Sequence, residues 1–229
     1  MRASALLLTV LVALAPAASQ AQSMNLAPGF YELPKEATVA IMPVDIELFS
    51  LSGGGVPEPK ADWTQAAARH FRQALLKHNE KLGLKTVGVS EDAADELAEV
   101  NTLHAAVAQA IAVHHFGPLK LPTKEGKLDW SLSDAVAPVK QATGARYALF
   151  SWVRDTYTSA ERKAAIIALA VLGVGVAGGQ QVGYASLVDL ETGRIVWFNR
   201  LARGSGDLRE AEPAAETVDA LLAEFPVAQ

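Results

Sequence analysis

Two apolar, β-rich runs, 180–190 and 194–201, meet at Glu191-Thr192-Gly193. A junction that short, with glycine where positive φ is needed, joins strands as a tight antiparallel hairpin. The rest of the chain must then supply a sheet that accepts this pair. It does so with strand signals separated by helix signals, a pattern that implies a mixed sheet with helices packed on it.

The first strand signal is the apolar run 38–46, in which Pro43 must lie near the end or at a bulge. The stretch 51–59, with three glycines and two prolines, reads as a flexible loop. Asp62 is placed to cap a helix whose Trp63, Ala67, Phe71, Leu75, His78 and Leu82 recur every three or four positions, ending at Gly83. A short second strand follows at 84–89, then an alanine-rich helical stretch, 92–114, with a break expected near Asn101. Ser133 is placed to cap a short helix ending at Gly144, with Pro138 in its middle, and 145–156 is the third strand, apolar on both faces. Ser159 caps a further helix with Glu161 in its first turn. Beyond the hairpin, Pro213 suits the first turn of a closing helix that buries Ala214, Val218, Leu221, Leu222 and Phe225. The expected fold is α/β (α+β): a mixed sheet of about five strands, helices packed on it, and a C-terminal hairpin followed by a closing helix.

The N-terminus reads as a secretory signal over 1–21: Arg2, an apolar stretch 5–15, Pro16, and the small-x-small site Ser19-Gln20-Ala21. This predicts a periplasmic location and a single domain over 22–229, about 208 residues, enough for an unstapled core. The chain contains no cysteine, which excludes disulfides, thiolate metal sites, cysteine nucleophiles and lipid attachment through sulfur. With 20 basic and 25 acidic side chains, and no basic stripe, nucleic acid is not an expected partner.

The element order, the first strand Val39-Ala-Ile-Met-Pro-Val44, and the run Tyr184-Ala-Ser-Leu-Val-Asp-Leu-Glu-Thr-Gly-Arg-Ile-Val-Trp197 together resemble one family. It comprises the periplasmic domains grouped around the curli secretion protein CsgG and the penicillin-binding-protein activators (LpoB-like). The chain is similar to a non-lipidated member. The resemblance implies an adaptor or assembly role in the envelope, without catalysis, through an envelope protein partner or a homo-oligomer.

Candidate chemistry is sparse. Gly173-Val-Gly175-Val-Ala-Gly178 fits the G-x-G-x-x-G fingerprint, but strand signals follow it where a helix must open, so no cofactor is expected. Gly173, Gly175 and Gly178 instead belong to an apolar, charge-free insertion, 164–179, where small residues allow close approach of another backbone. A buried core helix is its commonest explanation, with self-association or membrane-surface contact as the alternatives. Along their helices His104 and His115 lie about 16 Å apart and His70 and His78 about 12 Å, while adjacent His114 and His115 point about 100° apart, so no metal is expected. Asp45, Asp155 and Asp189 lie in or beside strands and would need to converge at a sheet edge to act together. Gly204-Ser205-Gly206 lacks the spacing of a nucleophile elbow. Trp152 and Trp197, on two strands of one sheet, either pack in the core or form an exposed aromatic patch. The expected interaction residues are therefore Trp152, Gly173, Gly175, Gly178 and Trp197. The rival expectation is a periplasmic hydrolase or small-ligand-binding protein whose site residues are scattered along the chain.

Overall fold

The computed structural model describes residues 23–89, 91–173, 175 and 178–227. The expected secretory signal over 1–21, and Val174, Val176 and Ala177 of the glycine segment, lie outside the described residues.

The apolar run 38–46 forms two strands rather than one, β1 (Thr38–Ile41) and β2 (Asp45–Leu51). Both pair in parallel with β5 (Tyr147–Thr158), with Val39 opposite Tyr147 and Asp45 opposite Trp152. Because β6 (Gln181–Asp189) occupies the other edge of β5 from Tyr147 to Asp155, β1 and β2 share a single edge. They are one interrupted ribbon in which Met42, Pro43 and Val44 face only Phe150 and Ser151, a bulge that accommodates the proline. β7 (Ile195–Arg203) completes the hairpin against β6. On the outer edge of the ribbon, β4 (Lys85–Gly88) runs parallel to β1, and β3 (Pro57–Pro59) runs antiparallel to β2. Seven strands thus fill five ranks of one mixed sheet among the described residues. The stretch 51–59 is accordingly not all loop: its two prolines sit on an edge strand, where a missing N–H costs no ladder bond.

Helices cover both faces. On one, α1 (Ala61–Lys81) and α6 (Ala211–Leu221) lay Ala67, Phe71, Leu75, Ala214, Val218 and Leu221 over Val39, Leu48, Leu149, Leu187 and Trp197. On the other, α3 (Ala98–Ile111) and α4 (Ala137–Thr143) bring Val100, Ala108, Ile111 and Val139 onto Ala40, Ala148, Phe150, Val188 and Phe198. Each central strand is therefore buried on both sides, which is why their sequences read as nearly continuous apolar runs.

The caps differ from expectation in detail. Lys60 occupies the N-cap of α1 without a side-chain capping bond, and Asp62 falls inside the first turn, where its negative charge complements the positive end of the helix dipole. The helical break comes at Leu97, between α2 (Glu91–Glu96) and α3, four residues before Asn101. After α3 the helix widens into a π-helical turn, Ala112–Phe116, before Gly117. Ser133 caps nothing; it adopts φ +54° at the start of a 3₁₀ turn (Ser133–Val136), and Pro138 then falls in the first turn of α4, where it is tolerated.

Candidate functional site

One element belongs to neither face. Between β5 and β6 the chain leaves the sheet as α5 (Ala160–Val171) and returns through the glycine segment. Ser159 holds the start: its Oγ accepts from the Arg162 N–H at 3.2 Å, and its own N–H reaches Leu51 O at 3.1 Å. Gly173, at φ +76°, ends the helix in the left-handed conformation that favours glycine. The return is clamped at Thr156. Gln180 N–H donates to Thr156 Oγ1 at 2.7 Å, and Thr156 N–H donates to Gln180 O at 3.0 Å. Gly179 packs so closely there that a Cβ would lie 1.9 Å from Thr156 O.

No residue of α5 is buried. Ile167, Val171 and Leu172 are 67 %, 82 % and 76 % exposed, while the helix carries no charge beyond Lys163. For the described residues of 164–179, the expectation of a buried core helix is thereby corrected. The two core layers are complete without it, because α1, α3, α4 and α6 already cover the sheet.

Beneath the excursion lies a polar platform. Asp155, 2 % exposed, accepts from Tyr157 Oη at 2.5 Å and from Gln181 Nε2 at 2.7 Å. Tyr157 Oη accepts in turn from Leu208 N–H at 2.8 Å. Gln181 Oε1 receives Arg203 Nε at 2.9 Å and Thr217 Oγ1 at 3.0 Å, which ties β5, β6, β7, α6 and the loop before α6 together. Burial pushes the Asp155 carboxyl above its usual range, although the bonds from Tyr157 and Gln181 oppose this. Burial, and then the carboxylate beside it, push the Tyr157 phenol up strongly. Arg209 pairs with Asp207 and lies 4.0 Å from the Tyr157 ring centre and 4.7 Å from that of Trp63. Between this platform and the root of α5 is a cleft of about 230 Å³, which Lys163, Thr158, Gln180 and Ser205 help to line.

The structure separates residues that the sequence left together. Trp152 stands opposite Tyr184 and Trp197 opposite Leu187, an odd offset on β6, so the two indoles point to opposite faces. Trp197 is 0 % exposed against Phe225 and offers nothing to a partner; it is a core residue. Trp152 is half-buried, stacked on Tyr184 at 5.1 Å with Arg154 over its ring. Gly173, Gly175 and Gly178 are all exposed in the excursion, and a Cβ on Gly175 would meet nothing within 4 Å.

The three aspartates do not converge. Asp155 and Asp189 oppose Gln181 and Tyr147 at the two ends of the β5–β6 ladder, about 26 Å apart along it. Asp189 pairs with Arg146 at 2.9 Å and Asp45 with Arg154 at 2.7 Å. His104 lies in the core, bonded to Ser186 and stacked on Phe150, and its burial drives its pKa down to about 3. His115 bonds Met24 O at 2.8 Å, His114 bonds Leu119 O at 2.6 Å, and His78 meets Asp219 at 2.7 Å. Among the described residues no three metal-ligating side chains come together.

Two features lie outside the sequence reading: the platform around Asp155 and the exposure of α5. The second had a signal. Residues 164–172 are apolar at every position, whereas a helix lying on a core keeps a polar face.

No protein-family model and no curated protein sequence matches the chain. Among solved structures it is similar to the PelC dodecamer of Paraburkholderia phytofirmans, at 14 % identity and a TM-score of 0.40 over 89 % of this chain and 95 % of the other. It is similar to the C-terminal domain of LpoB from Salmonella enterica at 14 % identity and a TM-score of 0.31, covering 77 % and 87 %. Lipoprotein GNA1162 of Neisseria meningitidis gives 12 % identity and a TM-score of 0.35, covering 82 % and 97 %.

Proposed function

We propose that the protein is a non-enzymatic component of the cell envelope, exported to the periplasm by the signal over 1–21, that works by association. The α5 excursion is its working surface, with Gly173, Gly175 and Gly178 in its return and Trp152 as a secondary contact on the α3 face. The observation that carries this reading is a helix with no buried residue and only apolar residues after Lys163, held on a hydrogen-bonded polar platform. Exposed apolar surface of this kind is stabilised only when something covers it. The nearest cleft favours the same reading over hydrolysis, since the Asp155 oxygen that would act there already accepts two internal hydrogen bonds.

Site-specific photo-cross-linking in intact cells tests the proposal. A benzophenone side chain at Val171 should give cross-linked product, and the same group at Lys77, exposed on α1, should give none. Product at Lys77 alone, or at neither position, would contradict it.

A further inference from the structure

We propose that α5 docks on a lipid surface, entering the boundary between headgroups and acyl chains of an anionic phospholipid layer while Lys163 meets the phosphates at its root. This inference rests on the excursion being the working surface and adds what covers it.

The argument for lipid is the distribution of apolar side chains around the helix. A protein groove covers one stripe of a helix, at positions such as i, i+3, i+4 and i+7, and the remaining positions stay polar. Here Ala164, Ile167, Ala168, Ala170 and Val171 are exposed on successive turns, and the intermediate positions Ala165, Ile166 and Leu169 are apolar as well. Ala165, Ile166 and Leu169 are half-buried on the protein side. The exposed positions, with Leu172, span about 200° of the circumference at ~100° per residue, wider than the stripe a groove covers, an arc that hydrocarbon covers without asking for a polar edge. Helix bonding within α5 also satisfies its backbone, as a lipid environment requires.

Length and charge set the depth and the lipid class. Twelve residues span about 18 Å, short of the ~30 Å hydrocarbon core, and no described helix is long and apolar enough to cross a membrane. The excursion therefore enters one leaflet and returns. Its charged residues, Glu161, Arg162 and Lys163, are confined to the first turn, two basic against one acidic, followed by sixteen positions, 164–179, without a charge. Lys163 makes no ion pair among the described residues and lines the cleft at the root, which places a cation at headgroup level with the apolar turns beyond it. Chemical complementarity thus favours an anionic lipid over a neutral one.

Flotation of the purified protein with vesicles is the test, comparing phosphatidylglycerol–phosphatidylethanolamine with phosphatidylcholine. The parent protein should float with the anionic vesicles. The double variant Ile167→Glu/Val171→Glu should lower partitioning by at least about tenfold with an unchanged melting temperature, because neither residue is in the core. Lys163→Gln should lower binding to anionic vesicles about fivefold and leave binding to neutral ones unaltered. A parent protein that stays at the bottom of the gradient with both vesicle types overturns the inference. Sedimentation velocity then separates the two readings. Self-association abolished by Ile167→Glu/Val171→Glu would mean that a second copy covers α5 and that association stands, while neither flotation nor self-association would remove both.

Discussion

Gly175 and Gly179, four positions apart in the chain, stand in opposite conditions, and they divide what belongs to the fold from what is added to it. Gly179 and Gly183 are pressed against the β5 backbone, where a Cβ would come within 1.9 Å and 2.8 Å of carbonyl oxygens, while Gly175 faces open space. Gly179→Ala should therefore cost roughly 1–3 kcal/mol in urea denaturation, since backbone must shift to admit one methyl. Gly175→Leu should change stability by no more than about 0.5 kcal/mol, as for a surface substitution. Equal effects from both would mean that the return segment is packed throughout.

Asp155 gives a second test at this scale. Its folded-state pKa is raised by burial, so the native protein holds that proton more tightly than the unfolded chain. The contribution to stability is then greatest with the carboxyl protonated and falls as pH rises through the ordinary carboxylate range to the raised value. Asp155→Asn should abolish that fall, seen as a flatter dependence of the urea midpoint than in the parent as pH rises from the ordinary carboxylate value of ~3.9. An unchanged slope would show that Asp155 is not the group responsible.

At the scale of elements, strands, helices and turn chemistry were legible because local pattern and burial agree in them. The hairpin at Glu191-Thr192-Gly193, the Ser159 cap and the apolar stripe of α6 all follow that rule. Two other features depended on tertiary register and were not legible. The division of 38–46 at Pro43 needs β5 alongside to reveal a bulge, and the opposed faces of Trp152 and Trp197 follow from their pairing with β6. The bond between His104 on α3 and Ser186 on β6 was not legible either, because it depends on the same tertiary packing. His104 links those elements through Ser186 inside the core. With its pKa lowered to about 3, His104 stays neutral in the native state, so stability is complete above the usual histidine range near ~6.5 and is lost as pH falls towards 3. The pair His104→Phe/Ser186→Ala, which leaves neither polar group unpartnered, should lose less stability than the parent over that interval. Identical acid sensitivity in thermal melts would contradict this.

For the whole molecule, a complete three-layer domain carries one helix that the domain does not need. The sequence placed a helix after Ser159 and an apolar insertion over 164–179, yet composition alone favoured the core, because an apolar run is buried in most folds. What reversed that expectation was topology, which gives each face of the sheet its own helices and leaves α5 beyond its end. The measurement that bears most directly on this account is amide hydrogen exchange over α5, with and without anionic vesicles. In the free protein the α5 amides should exchange far faster than those of β5, β6 and β7, since few tertiary contacts hold the helix. Adding vesicles should protect α5 selectively and leave the sheet unchanged. Protection of α5 equal to that of the sheet in the free protein, or no response to vesicles, would contradict the account.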